Sequence, residues 1–489
     1  MHPTLNPSLD SVARETSPRF EQLECMLNHL LHIDPTAWWD QISRKLDRGG
    51  SDAVRQWAIP GEPHDVSTAI REACMVFDHC MHFDHPRFFS YMPCCPSPLA
   101  RVGDALSSIF NVNAGLWRTS SGPTVIENSL LSWLACQVGF PPSAGGCFVS
   151  GGSMANLTAI VAARDALVPR DRQSDGIVYL SDQTHVSVAK SLRIVGFHDA
   201  QIRILPSNPR FQMDVERLRQ TIVTDRQKGG LPFLIIGSCG TTNTGSIDPI
   251  PALADLAREE HLWLHVDGAY GASIALSARH RHLVDGIGRA DSLSWDAHKW
   301  LFQTYGCGIV LTRAASTLQD SFAVDADYLR TNPSAESNMD FCNVSPELSR
   351  PSRAMSLWFT FRVLGRRQIS DMIDHGFHLA KAAEHELRQL ARWEIISPAT
   401  GAIVVFRYAP AGWAEQDLER LNLAISTRLL EENIAAILTT KLRGLRVLRL
   451  CTMNPTVPVD AILQILRRMQ QVAETTLVSV AQECGRKGI

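Results

Sequence analysis

Between about Leu116 and Leu311, short apolar runs alternate with longer stretches in which apolar residues recur at helical spacing. Short continuous apolar runs read as strands buried on both faces, and the periodic stretches between them read as helices that cover those faces. The pattern predicts an α/β domain built on a mostly parallel central sheet. Its expected strands are Gly146–Val149, Ile177–Leu180, Gln201–Ile204, Phe233–Gly237, Leu262–Val266, Leu293–Trp295 and Gly308–Leu311.

Both flanks read differently. Leu23, Met26, Leu27, Leu30 and Leu31 sit at helical spacing within 19–47, and a second amphipathic run covers Val66 to Met81, so an N-terminal helical segment is expected. In His85-Pro-Arg-Phe-Phe-Ser-Tyr-Met-Pro93, prolines and clustered aromatics break the periodicity. That stretch reads as an extended piece on an apolar surface, lining a pocket or merely packing. Past Thr312, the Asn-, Pro- and Ser-rich run Thr331 to Asn338 reads as a loop, and a helix starts near Arg353. Strands at Ala402–Arg407 and Arg446–Cys451, with helices at Asp371–Arg392, Glu415–Glu432 and Asp460–Leu477, predict a small C-terminal α+β domain. The expected division is 1–115, 116–367 and 368–489.

Composition narrows the class. With 489 residues, 45% of them hydrophobic, and a net charge of -3, the chain reads as a globular protein with no nucleic-acid or membrane-surface role. Met1 to Phe20 is polar and proline-punctuated, and no run of about 18 apolar residues occurs, so a cytoplasmic location is expected. Twelve cysteines lie scattered without CxxC or metal-like spacing, which predicts reduced thiols and no metal site.

Candidate chemistry gathers where the expected strands end. Asp291-Ser-Leu-Ser-Trp-Asp-Ala-His-Lys-Trp300 places Lys299 directly after an apolar strand. A lysine there serves a covalent cofactor or simply ends a strand at the surface, and the stretch alone leaves the two about even. Cys147-Phe-Val-Ser-Gly-Gly-Ser-Met-Ala-Asn156 reads as strand, tight turn and helix, with Ser153 as the expected N-cap. Such a helix start can hold a phosphate, or the glycines can mean only a turn; neither GxGxxG nor a P-loop is present. His185, in Tyr179-Leu-Ser-Asp-Gln-Thr-His185, and Asp267, in Leu262-Trp-Leu-His-Val-Asp267, close two further strands. A lone histidine there is more often structural, and an aspartate there either caps the next turn or pairs with a buried cation such as a protonated pyridine nitrogen. Gly240-Thr-Thr-Asn-Thr-Gly245 adds hydroxyls at the same edge. Convergence of the segments favours one bound cofactor over separate unrelated explanations.

These motifs, with His85-Pro-Arg-Phe-Phe and His298-Lys-Trp, occur in the order found in the group II pyridoxal phosphate-dependent amino acid decarboxylases, which the chain resembles over most of its length. Within that group, which includes the aromatic amino acid, histidine and glutamate/cysteine sulfinate decarboxylases, it resembles the aromatic-L-amino-acid decarboxylases, and the C-terminal third matches loosely. The resemblance implies a fold-type I transferase-like subunit and a homodimer with interlocked N-terminal helices and shared active sites. It implies that Lys299 carries pyridoxal 5'-phosphate as a Schiff base, Asp267 pairs with the pyridine nitrogen, His185 stacks on the ring, and Gly152 with Ser153 holds the phosphate. Thr242 and His298 match cofactor-shell positions, and Tyr328 matches the loop tyrosine that protonates the substrate carbon after CO₂ leaves.

Two departures stand out. Asp296 replaces an asparagine common in relatives, and because a carboxylate beside a phosphate is repulsive unless it turns away or finds a donor, it is not counted in the site. Gly115 falls where animal aromatic decarboxylases place an aromatic wall, so the pocket is expected to be wider or differently filled. Phe83, Tyr91, Met92 and Pro93 are the expected substrate contacts, favouring an aromatic or large apolar L-amino acid. Competing expectations are a decarboxylase for glutamate, cysteine sulfinate or an aliphatic amino acid, a carbonyl-forming oxidative deaminase, a sulfur-eliminating enzyme, and an inactive partner-binding homologue.

Overall fold

The structure is a computed structural model that describes residues 40–58, 61, 64–92, 95–324 and 339–483. It divides into two compact units, Met1–His85 and Pro86–Ile489. The first unit holds helices α1 (Arg48–Trp57) and α2 (Val66–Asp78). Asp47 and Asp65 cap them by accepting the backbone N–H of Gly50 at 2.7 Å and of Thr68 at 3.0 Å, which satisfies amides that have no intrahelical partner. Of the helix expected over 19–47, residues 19–39 lie outside the described residues, and 40–47 are not helical. Their backbone is committed elsewhere, because Ser43 forms an antiparallel bridge with Met81.

The second unit opens with Phe88 and Phe89, both buried, as the proline-broken aromatic stretch predicted. Phe89 donates its N–H to Ala436 O at 2.9 Å and accepts from Cys451 N at 3.0 Å. Helices α3 (Pro98–Phe110) and α4 (Trp117–Gln137) follow. A seven-stranded sheet is then built from β1 (Gly145–Val149), β2 (Gly176–Ser181), β3 (Ile202–Leu205), β4 (Leu231–Ser238), β5 (Trp263–Asp267), β6 (Ser292–Asp296) and β7 (Gly308–Thr312). Their spatial order is β1-β7-β6-β5-β4-β2-β3. Only β7 runs against its neighbours; the other pairings are parallel, so the C-terminal ends of β1, β6, β5, β4 and β2 emerge at one edge. Every residue of β2, β5, β6 and β7 is buried, as a sheet covered on both faces requires. The helices that lead away from this edge include α5 (Gly152–Leu167) after β1, α6 (Val186–Ile194) after β2 and the single turn α7 (Ala297–Trp300) after β6.

One long helix, α8 (Ala354–Gln389), is broken at Gly365, where φ is 68°. The sequence reading placed its two parts at Arg353 and Asp371; the second part begins immediately after the glycine. The C-terminal sheet is antiparallel, in the order β10-β11-β9-β8, from β8 (Trp393–Thr400), β9 (Ile403–Tyr408), β10 (Thr439–Leu442) and β11 (Leu445–Cys451). Helices α9 (Glu415–Glu431) and α10 (Val459–Glu483) belong to this region. The central strands β9 and β11 were expected. Their neighbours β8 and β10 were not, because edge strands are half exposed, and β8 carries Pro398, which reads as a strand breaker. Among the described residues no helix is long and apolar enough to cross a membrane.

Candidate active site

The parallel strands deliver their termini to one cavity of about 420 Å³. After β1 the chain turns through Ser150, Gly151 and Gly152 into α5. A Cβ on Gly152 would lie 2.7 Å from Asp296 Oδ2, and one on Gly151 would lie 3.1 Å from His298 Cε1, so this wall admits only glycine. Ser153 is not the N-cap that its type suggested. The helix starts earlier, at Gly152, with Gly151 in the cap position and no side-chain cap, which leaves the first amides open beside the cavity. An uncapped start of a sixteen-residue helix is a place for an anion. The turn is held from behind by a buried ion pair. Arg350 donates to Glu127 Oε1 at 2.7 Å and Oε2 at 3.0 Å and to Phe148 O at 2.6 Å, while Phe148 N donates to Glu127 Oε1 at 3.0 Å.

Asp296 ends β6, and Lys299 sits on the turn that follows, its Nζ 3.1 Å from Asp296 Oδ2. Asp296 therefore does not turn away; it lines the cavity beneath the glycine turn, and its Oδ1 is buried without a hydrogen-bond partner among the described residues. His298 donates from Nδ1 to Cys307 O at 3.2 Å, and burial pushes its pKa down.

Asp267 closes β5. Its Oδ1 accepts from Ala269 N and Ser294 Oγ, each at 3.1 Å, and its Oδ2 accepts from Asn156 Nδ2 at 3.1 Å. Burial opposes its charge, but the charge of Lys299 and the hydrogen bond from the Ala269 amide outweigh that and hold its pKa below the ordinary carboxylate value. His185 caps α6, its Nδ1 accepting from Ser187 N at 3.3 Å, and burial lowers its pKa, so it faces the cavity as a neutral imidazole.

Thr242 also lines the cavity, where its carbonyl accepts from Arg449 Nη1 at 2.5 Å. Tyr91 and Met92 form part of the wall. Pro93 and Tyr328 lie outside the described residues, and Phe83 belongs to the first unit. Gly115 is a packing glycine: its Cβ would collide with Leu348 O. Asn156, Arg449 and Tyr305 were not anticipated as cavity residues. Asn156 was discernible, since it lies one helical turn past Gly152 and so on the same face of α5. Nothing near Arg449 in the chain marks it.

A lysine amine, an ionised carboxylate, a neutral imidazole and an open helix start around one cavity, at the carboxyl edge of a parallel sheet, define a pyridoxal phosphate enzyme of fold type I. The uncapped helix start beside the cavity suits the phosphate of such a cofactor. Residues 55–409 match the pyridoxal-dependent decarboxylase conserved domain, and the chain belongs to that family. It is similar to an aromatic-L-amino-acid decarboxylase of Bacillus atrophaeus, with 40% identity over 95% of this chain and 96% of the relative. It is also similar to an L-2,4-diaminobutyrate decarboxylase of Acinetobacter baumannii, with 26% identity over 91% and 92%. Among solved structures, that of Oryza sativa TDC with PLP and tryptamine is 25% identical with a TM-score of 0.89, covering 94% of this chain and 99% of that one. The protein is a pyridoxal phosphate-dependent amino acid decarboxylase.

Proposed function

We propose that this enzyme converts an aromatic L-amino acid to its amine and CO₂, and that it works as a homodimer with Lys299 as the attachment point of the cofactor. When bound, pyridoxal phosphate supplies an electron sink for the pair left at Cα as CO₂ departs. The amides of Gly152 and Ser153 bind its phosphate. Asp267, held ionised by its three donors, keeps a proton on the ring nitrogen. His185 would stack on the ring, Thr242 and His298 would complete the shell around it, and Tyr328 would give a proton to Cα, which yields the amine rather than a carbonyl product.

The observation that carries the substrate class is the chemistry of the cavity wall. Tyr91 and Met92 offer apolar surface, while the guanidinium of Arg449 is drawn to backbone, donating to Thr242 O and Ser90 O at 2.5 Å each. Among the described residues, a second substrate carboxylate would be buried there without a dedicated cation. The 40% identical relative points the same way. For the dimer, α3 exposes Leu106, Ile109 and Phe110, the last 74% exposed, an apolar stripe suited to a second copy. Free cysteines, Cys147, Cys239 and Cys307 among them, suit the reducing cytoplasm. Amine formation from a panel of L-amino acids tests the substrate. Aromatic substrates should give the highest kcat/KM, and faster turnover of glutamate, cysteine sulfinate or 2,4-diaminobutyrate than of every aromatic would overturn it.

A further inference from the structure

Behind Asp267 the buried polar groups stand in single file, and the ionised carboxylate, which can only accept, sets the hydrogen-bond directions along it. The Trp263 indole can only donate, and its Nε1 donates to Ser292 Oγ at 2.8 Å. Ser292 Oγ is also 2.8 Å from His265 Nδ1; the indole fills one of the two acceptor positions of the hydroxyl, so the direction of this contact is set from the other side of the ring. Asp267 Oδ2 takes the Asn156 amide nitrogen at 3.1 Å, so Asn156 Oδ1 faces His265 Nε2 at 2.9 Å, which puts the imidazole proton on Nε2 and leaves Nδ1 to accept from Ser292 Oγ. The second N–H of the Asn156 amide lies toward Ser187 Oγ at 3.4 Å. Ser187 Oγ in turn lies 2.8 Å from His185 Nδ1. His265, Asn156 and Ser292 are almost completely buried, so no water competes for these groups. Burial pushes the His265 pKa down to about 4, which keeps the ring neutral.

We infer that Asn156 and His265 are positioning residues: the file Trp263, Ser292, His265, Asn156 presents two N–H groups in one fixed orientation. One keeps Asp267 an acceptor-only carboxylate toward the cofactor ring nitrogen, and the other sets the tautomer of His185 through Ser187. A reversed Asn156 amide would set its oxygen against Asp267 Oδ2, a contact that only a protonated Asp267 tolerates. The inference rests on the reading that Asp267 faces the ring nitrogen.

The test compares binding of pyridoxal phosphate with binding of an analogue that has C–H in place of the ring nitrogen. Equilibrium binding to the cofactor-free full chain gives a preference ratio for each variant. Asn156→Ala and His265→Leu should lower that ratio roughly tenfold, the scale of a lost hydrogen bond to a charged group, while affinity for the analogue hardly moves. His265→Gln, which keeps a donor near the Nε2 position, should restore the ratio, and the two His265 variants carry the comparison if Asn156→Ala fails to fold. Equal weakening of both ligands, with the ratio unchanged, would mean a purely structural role and overturns the inference. If Asp267→Ala itself leaves the ratio at its wild-type value, the ring-nitrogen reading fails and the inference falls with it; a ratio that responds to Asp267→Ala but not to the Asn156 and His265 variants sinks the inference alone.

Discussion

Asp267→Asn exchanges one carboxylate oxygen for an amide in a place where three neighbours donate. Ala269 N and Ser294 Oγ point at Oδ1, and Asn156 Nδ2 points at Oδ2, all at 3.1 Å. An asparagine can accept on one side only. With its oxygen toward Ala269, its amide nitrogen meets the amide nitrogen of Asn156; turned around, it meets the Ala269 N–H. An unmatched buried donor costs about 1–3 kcal/mol, and a hydrogen bond to a charged group is worth about 1.5–3 kcal/mol. The folded protein should therefore lose roughly 2–4 kcal/mol, unless the Asn156 amide and the His265 tautomer both reverse. The larger effect falls on catalysis, because a neutral amide cannot keep the ring nitrogen protonated. Losing one such preorganised interaction raises the barrier by about 3–4 kcal/mol, or 10²- to 10³-fold in kcat. CO₂ release at saturating substrate and cofactor measures kcat free of any cofactor loss, and fluorescence titration gives cofactor affinity separately. A kcat within threefold of wild type would show that the Asp267 charge plays no part in the chemistry.

Lys299→Ala should abolish turnover and leave a folded protein, and borohydride reduction of the wild-type holoenzyme followed by peptide mass spectrometry should place the label on Lys299; a label on another lysine would refute the assignment. Tyr328→Phe keeps the ring but loses the acid, so CO₂ release should outlast amine formation, with a carbonyl product and ammonia appearing; stoichiometric amine at the wild-type rate would remove Tyr328 from the mechanism. Glu127→Gln leaves the buried Arg350 guanidinium without its counter-charge, at about 3–5 kcal/mol of stability, and a urea-unfolding loss below about 1 kcal/mol would contradict the role given to that pair.

How much of this was legible in the chain can be followed residue by residue. Lys299, Asp267, His185 and the glycine turn could be placed because each directly follows a short apolar run, and parallel strands all deliver their C-terminal ends to one edge. Strands such as β4 and β7 were readable because nearly complete burial makes them largely apolar, whereas β8 and β10 at the sheet edge carry no such pattern. Ser153 was misjudged as a cap because its type favours that position, but close approach of the Asp296 and His298 side chains makes glycine necessary at 151 and 152, and the helix starts there. Local pattern could not reveal that Asp296 faces the cavity, that Arg449 reaches it from the C-terminal sheet, or that Glu127 finds Arg350 across 223 residues. The sequence by itself determined which chemistry is present and at which edge it gathers, since both follow from side-chain type and the periodicity of neighbouring residues. Only the tertiary structure decided which donor meets which acceptor, because a buried polar group must take its partner from whatever distant segment packing brings within about 3 Å, and the direction of each hydrogen bond then depends on the next.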